Sequence, residues 1–136
     1  MAGRRTAFIT GASQGIGAAT AEALAKDGYE VAVSSTDPAR LKPLLEKLKK
    51  AGARSVAVTL DVRSHSSIEQ AMAEVARAFG NLDVLVNNAG IPLKKPALDL
   101  TPADWDNVMQ VNLAGTFFMS QQMGRHLVAA KRPVFI

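Results

Sequence analysis

Thr10-Gly11-Ala12-Ser13-Gln14-Gly15-Ile16-Gly17 is the stretch on which the reading of this sequence turns. A short apolar run, Thr6-Ala7-Phe8-Ile9, leads into it, and a helical pattern that stops at Gly28 leads out. Residues 5–10 therefore predict a β-strand and residues 15–27 a helix, with the glycine-rich turn between them. Glycines there permit backbone angles that a Cβ forbids and let a ligand approach the main chain. The amino end of the following helix offers unpaired amides and about half a positive charge. A pyrophosphate suits that environment. The turn does not close on Gly-Lys-Ser/Thr, which excludes the phosphate loop of nucleoside triphosphatases. Taken alone, it is explained equally well by tight packing of strand against helix.

Outward from the turn, strands and helices alternate. Residues 30–35 predict a second strand, and Asp37-Pro38 an N-cap with proline at the first helical position, opening a helix to about residue 51. Residues 55–60 predict a third strand. Ile68, Ala71, Met72, Val75 and Phe79 form an apolar stripe on a third helix, and residues 82–86 predict a fourth strand. Trp105, Val108, Met109, Asn112, Leu113 and Thr116 mark a long helix reaching about residue 130, and Pro133 to Ile136 the opening of a fifth strand. Strands separated by single helices need crossover connections, so the expected fold is α/β: a doubly wound parallel sheet with helices on both faces. Ligands of such sheets bind beyond the carboxyl ends of the strands, where the strand order reverses. Those ends carry Gly11 to Gly17, Ser34 to Asp37, Asp61-Val62 and Asn87 to Gly90, which should converge on one crevice.

Composition bounds the remaining possibilities. The 136 residues, 48% apolar and 21% charged, suit one folded domain rather than a disordered chain. The absence of cysteine excludes disulfides, thiolate catalysis and Cys-ligated metal. The formal charge of +4 is concentrated around Lys42, Lys47, Lys49, Lys50 and Arg54. With Leu41, Leu44, Leu45 and Leu48 on the opposite face, these read as the wet side of a helix. No aromatic residues interleave with them, so a nucleic acid partner is not expected. No apolar run approaches the ~20 residues of a membrane helix, and the start of the chain lacks the long apolar region of a signal peptide. The expected location is cytoplasmic.

Thr-Gly-x-x-x-Gly-x-Gly after the first strand and Asn87-Asn88-Ala89-Gly90 after the fourth together resemble the short-chain dehydrogenase/reductase family, and Val111-Asn112-Leu113 adds a third match. The resemblance covers the whole chain and implies a Rossmann fold that binds NAD or NADP. It implies that Gly11, Ser13, Gln14, Gly15, Ile16 and Gly17 hold the diphosphate, that Asp61 and Val62 meet the adenine, and that Asn87, Asn88, Ala89 and Gly90 frame the adjoining cofactor. Asn112 would be one member of a catalytic Asn-Ser-Tyr-Lys tetrad, working in proton relay. Read from the residues alone, Asn112 is a hydrogen-bonded asparagine on an apolar stripe, Asp61 a turn cap, and His65 a surface residue of a polar loop.

Ser35 and Thr36 stand where NAD-preferring relatives carry an acid, and Asp37 is explained as a helix cap. Small hydroxyls without a repelling acid lean towards NADP, although the arginine that NADP-preferring relatives often carry near Thr36 or Gln14 is not expected here. The family's Tyr-x-x-x-Lys is missing: the single tyrosine, Tyr29, is followed four residues on by Val33. The chain is thus expected to be the amino-terminal half of an oxidoreductase acting on a carbonyl or alcohol substrate, cut near the start of the fifth strand. A non-catalytic dinucleotide-binding or pairing module is the alternative. A methyltransferase on a similar sheet is disfavoured by the Asn-Asn-Ala-Gly turn. The resemblance also implies a homo-oligomer, packed through the long helix after the fourth strand, where Trp105, Phe117, Phe118 and Met123 either serve the interface or pack internally.

Overall fold

In the computed structural model, which describes residues 3–133, alternating side chains on four strands divide the apolar residues between two faces of one sheet. The strands are β1 (Thr6–Ile9), β2 (Glu30–Ser35), β3 (Ser55–Thr59) and β4 (Val84–Val86). All three pairings are parallel and the order is β3-β2-β1-β4. Ala7, Ile9, Val31 and Val33 face α1 (Gly15–Lys26) and α2 (Lys42–Lys50). Phe8, Ala32 and Val58 face α3 (His65–Phe79) and α5 (Thr116–Ala129). Each large side chain fully buried this way contributes about 1.5–3 kcal/mol relative to exposure. The doubly wound architecture is the expected one. After β3 the chain crosses back to the far side of β1, so the strand order reverses between β1 and β4.

The elements depart from the sequence reading in three places. The helix expected from Asp37 begins as a short 3-10 turn, Pro38–Leu41, and becomes α-helical only at Lys42. Pro43 has no N–H to give to the carbonyl of Ala39, so one continuous α-helix cannot form there. Asp37 caps the turn as expected, its Oδ1 accepting from Ala39 N at 3.0 Å. The third and fourth strands are shorter than expected, although Leu60 and Leu82 beyond their ends are buried. The expected fifth strand falls largely on residues 134–136, outside the described residues.

The third departure is the long helix. It runs as α4 (Pro102–Met109), a π-helical segment (Gln110–Gly115) and α5, without a break. A π turn places one extra residue in the helical path and resets which positions beyond Gln110 face the core, whereas Trp105, ahead of it in α4, already stands off the core. Trp105 and Leu113 are 62% and 59% exposed. Asn112 and Thr116 are exposed as well, against the expectation that they share the apolar stripe. Val111, Gly115, Met119, Met123 and Leu127 take the inward positions at four-residue spacing. Of the residues considered for an interface, Met123 is wholly internal, Phe118 half-buried and Phe117 exposed.

At the amino-terminal rim of the sheet, Asp83 is the polar anchor. Its Oδ2 accepts from Thr6 N at 2.8 Å and from the Thr6 hydroxyl at 3.2 Å, and Asn81 Nδ2 and the Arg132 guanidinium also reach its carboxylate. Lys131, with φ 53° just past α5, turns the chain so that Arg132 can do so. Removing the carboxylate orphans a buried N–H. Asp83→Ala is therefore expected to destabilise the fold by about 2–3 kcal/mol in denaturant unfolding.

At the other end of the molecule, Thr101 and Asp104 form a capping box on α4, and Lys95 Nζ lies 2.7 Å from Asp104 Oδ2. Lys95, helped by the Thr101 hydrogen bonds, lowers the Asp104 pKa from 3.8 to about 2. A depressed folded-state pKa gives stability that is complete above the unfolded value and is lost as pH falls through the folded one. Loosening of the α4 amino end is thus expected between pH 3.8 and about 2. Carboxylate NMR titration should place Asp104 near the lower value, and Lys95→Ala should move it up.

Candidate functional site

Thr10, just past β1, is buried between two loops. Thr10 Oγ1 accepts from Asn88 N at 3.0 Å and Ala89 N at 2.9 Å, and donates to Val86 O at 3.4 Å. Asn88 returns the contact, its Nδ2 donating to Thr10 O at 3.1 Å and Gly11 O at 3.0 Å. The exits of β1 and β4 are thereby knitted into one wall. They come so close that a Cβ on Gly11, whose φ is +61°, would lie 2.8 Å from the Ala89 Cα. One on Gly17 would lie 2.5 Å from Asn88 Nδ2. Glycine at these two positions is what lets the loops meet.

Beside this wall lies a cleft of about 600 Å³ at the carboxyl ends of the strands. Gly11, Ser13, Gln14, Gly15 and Ile16 line it from the first loop, and Ser35 and Thr36 from the second. Asp61 and Val62 line it from the third, and Asn88, Ala89 and Gly90 from the fourth. Three expected residues stand behind the lining. Gly17 lies beneath Asn88. Asn87 Nδ2 donates to Ser120 Oγ at 3.0 Å. Asn112 holds Ile91 by both backbone groups, its Oδ1 accepting from Ile91 N at 2.9 Å and its Nδ2 donating to Ile91 O at 3.0 Å.

Other lining residues went unremarked in the sequence. Ile91 comes from the segment after β4 and Asn107 from the long helix, where Val111, quoted in the sequence only as part of a motif, also reaches the cleft. Arg40 is the consequential one. It is four residues from Thr36 in sequence, yet the 3-10 turn capped by Asp37 brings both to the cleft. The cap itself was the available signal, because a tight turn returns the next residues towards the strand end. Arg40 thus corrects the expectation that no arginine stands near Thr36 or Gln14: all three line one cleft.

The polar groups of the cleft are unequally committed. Gln14 is the N-cap of α1 but makes no side-chain cap bond, so its amino end faces the cleft without an internal acceptor from that residue. A Cβ on Gly15, at φ +60°, would meet nothing within 4 Å. Ser34 Oγ, at the cleft, is buried without a hydrogen-bond partner. Asp61 is engaged: its carboxylate accepts from Arg63 N at 3.0 Å and from Arg63 Nη2 at 2.9 Å. Arg63 holds the Asp61 carboxyl below its ordinary range. The turn-cap reading of Asp61 is thus realised in the same residue that lines the cleft. Among the described residues no carboxylate pairs with Arg40. His65 opens α3 on the surface, its ring 4.1 Å from that of Phe118. Among the described residues no three His, Cys, Asp or Glu gather as a metal site, and no helix is long and apolar enough to cross a membrane.

Comparison with known proteins agrees with the motif reading. The sequence matches the short chain dehydrogenase family over residues 5–134. It is 39% identical over 126 residues to a short-chain dehydrogenase/reductase of Armillaria gallica, covering 91% of this chain and 48% of that protein. A dehydrogenase/reductase of Sinorhizobium meliloti 1021 superposes with a TM-score of 0.87 at 43% identity, over 93% of this chain and 50% of the other. A metagenomic short-chain oxidoreductase in complex with NADP gives 0.87 at 33% identity, over 94% and 58%. The chain spans about half the length of the curated relatives it matches. With the fold, the paired loops and the family match in agreement, this chain belongs to the short-chain dehydrogenase family.

Proposed function

We propose that this chain forms the dinucleotide-binding part of an NAD(P)-dependent oxidoreductase acting on a carbonyl or alcohol substrate, with NADP as the preferred cofactor. The observation that carries the reading is the open amino end of α1, faced by the bare main chain of Gly15. Amides and helix dipole there favour a diphosphate, and the missing side chain gives it room. Ser13 and Gln14 flank that position. Val62 and Leu60 supply an apolar wall for an adenine, and Ala89, Gly90 and Ile91 a narrow wall leading away from it.

Arg40, Ser35 and Thr36 together favour a 2′-phosphate: a cation with no carboxylate partner among the described residues, lining the cleft with two hydroxyls. The NADP complex of the metagenomic relative supports the same choice. When bound, the nicotinamide supplies a hydride to, or takes one from, a carbonyl or carbinol carbon. Asn112 serves that chemistry by holding Ile91 in place, since both ends of its amide are committed there. Proton exchange needs residues this sequence does not carry. Tyr29 lies just ahead of β2, at the rim opposite the cleft.

Calorimetry on the chain should register NADPH binding more tightly than NADH, and Gly15→Val should abolish both. That valine also adds strain of about 1–2 kcal/mol at a positive φ, so circular dichroism must confirm a folded variant. Absence of heat with either cofactor would sink the reading, and tighter NADH would overturn the preference. Arg40→Ala should weaken NADPH about tenfold and leave NADH unchanged, as expected for loss of one exposed charge-assisted contact.

A further inference from the structure

The π-helical segment Gln110–Gly115 touches both sides of the cleft. At its end, Gly115 is buried against Val62, close enough that a Cβ would lie 2.7 Å from Val62 Cγ2 and 2.8 Å from Val62 Cβ. Its φ of −57° is ordinary helical backbone that any residue adopts, so space alone, not conformation, calls for glycine here. Three residues earlier, Asn112 grips Ile91 by its N–H and C=O, and a Cβ on Gly90 would lie 3.3 Å from Asn112 Oδ1.

Val62 follows β3 and Ile91 follows β4, and these strands stand at opposite edges of the sheet. No shared ladder sets the distance between their exits; three strand spacings separate them, about 14 Å. The π turn supplies a connection that the sheet does not. Its extra residue lets Gly115 and Val111 face inward while Asn112 turns towards the loop after β4.

We propose that Gly115 is a positioning residue: its missing side chain seats the π segment against Val62 and so sets the width of the cleft between Val62 and Ile91. The proposal rests on the reading of that cleft as a dinucleotide site. A methyl group at Gly115 must either push Val62 into the adenine side or shift the segment and draw Asn112, with Ile91, out of place. Alanine is the better helix former, so helix propensity predicts no penalty.

The test is a double-mutant cycle on the full chain, read by NADPH calorimetry and by the Ile91 amide resonance. Gly115→Ala is expected to weaken NADPH about tenfold, the usual scale of overpacking by one methyl, and to move the Ile91 resonance. In a Val62→Gly background, where both Cγ2 and Cβ are removed and only the residue 62 carbonyl oxygen remains, 3.2 Å away, the same substitution should cost less than about twofold and leave that resonance in place. A general loss of stability would not be relieved by that one valine. Unchanged affinity and resonance in Gly115→Ala, or an equal loss in both backgrounds, overturns the proposal. If the parent chain binds no dinucleotide, the functional reading fails by itself, and the Ile91 resonance across the four proteins still decides whether Gly115 sets the spacing.

Discussion

The hydroxyl of Thr10 receives two backbone N–H groups from the loop after β4 and donates to the last residue of that strand, while Asn88 returns two hydrogen bonds to the loop after β1. This reciprocal clasp is the constraint on which the cleft depends. It joins the two loops at the place where the sheet reverses its strand order, and it satisfies part-buried backbone groups of both loops. Gly11 and Gly17 are glycines because the clasp leaves no space for a side chain at either. The two motifs, nearly eighty residues apart in sequence, are therefore one structural unit, which is why their joint presence is far more specific than either alone.

Much of this was legible in the residues. Single helices between successive strands called for crossovers and so for a parallel sheet covered on both faces, and neighbouring side chains such as Ala7 and Phe8 or Val31 and Ala32 do enter different cores. The loops at the strand ends could be expected to converge because parallel strands put their carboxyl ends on one rim. The π turn was not legible. Its extra residue depends on how Gly115 packs against Val62 and how Asn112 meets Ile91, and both are contacts distant in sequence. A stripe counted at helical spacing from Trp105 therefore ran on to Asn112 and Leu113, which the structure leaves exposed. Arg40 escaped for a related reason: proximity along the chain was taken for proximity in space, and a 3-10 turn intervened.

Charge and shape act separately in the cleft. Arg63 is committed to Asp61, so its positive charge is largely offset locally. Arg40 carries no such partner among the described residues and stands beside the hydroxyls of Ser35 and Thr36. A lining with one neutralised pair and one free cation attracts an anion without holding a surplus of salt bridges that would have to break first. Shape comes from glycines and from short apolar side chains, which set close walls but make no chemical demand of their own.

The sheet has two rims with different occupations. One carries the Asp83 knot with Thr6, Asn81 and Arg132; the other carries the cleft. Division of labour of this kind gives the sequence mutational latitude, since persistence of the fold can be tuned at one rim while ligand choice drifts at the other. Lineages sharing such a scaffold can diversify in what they recognise without first losing the means to stay folded.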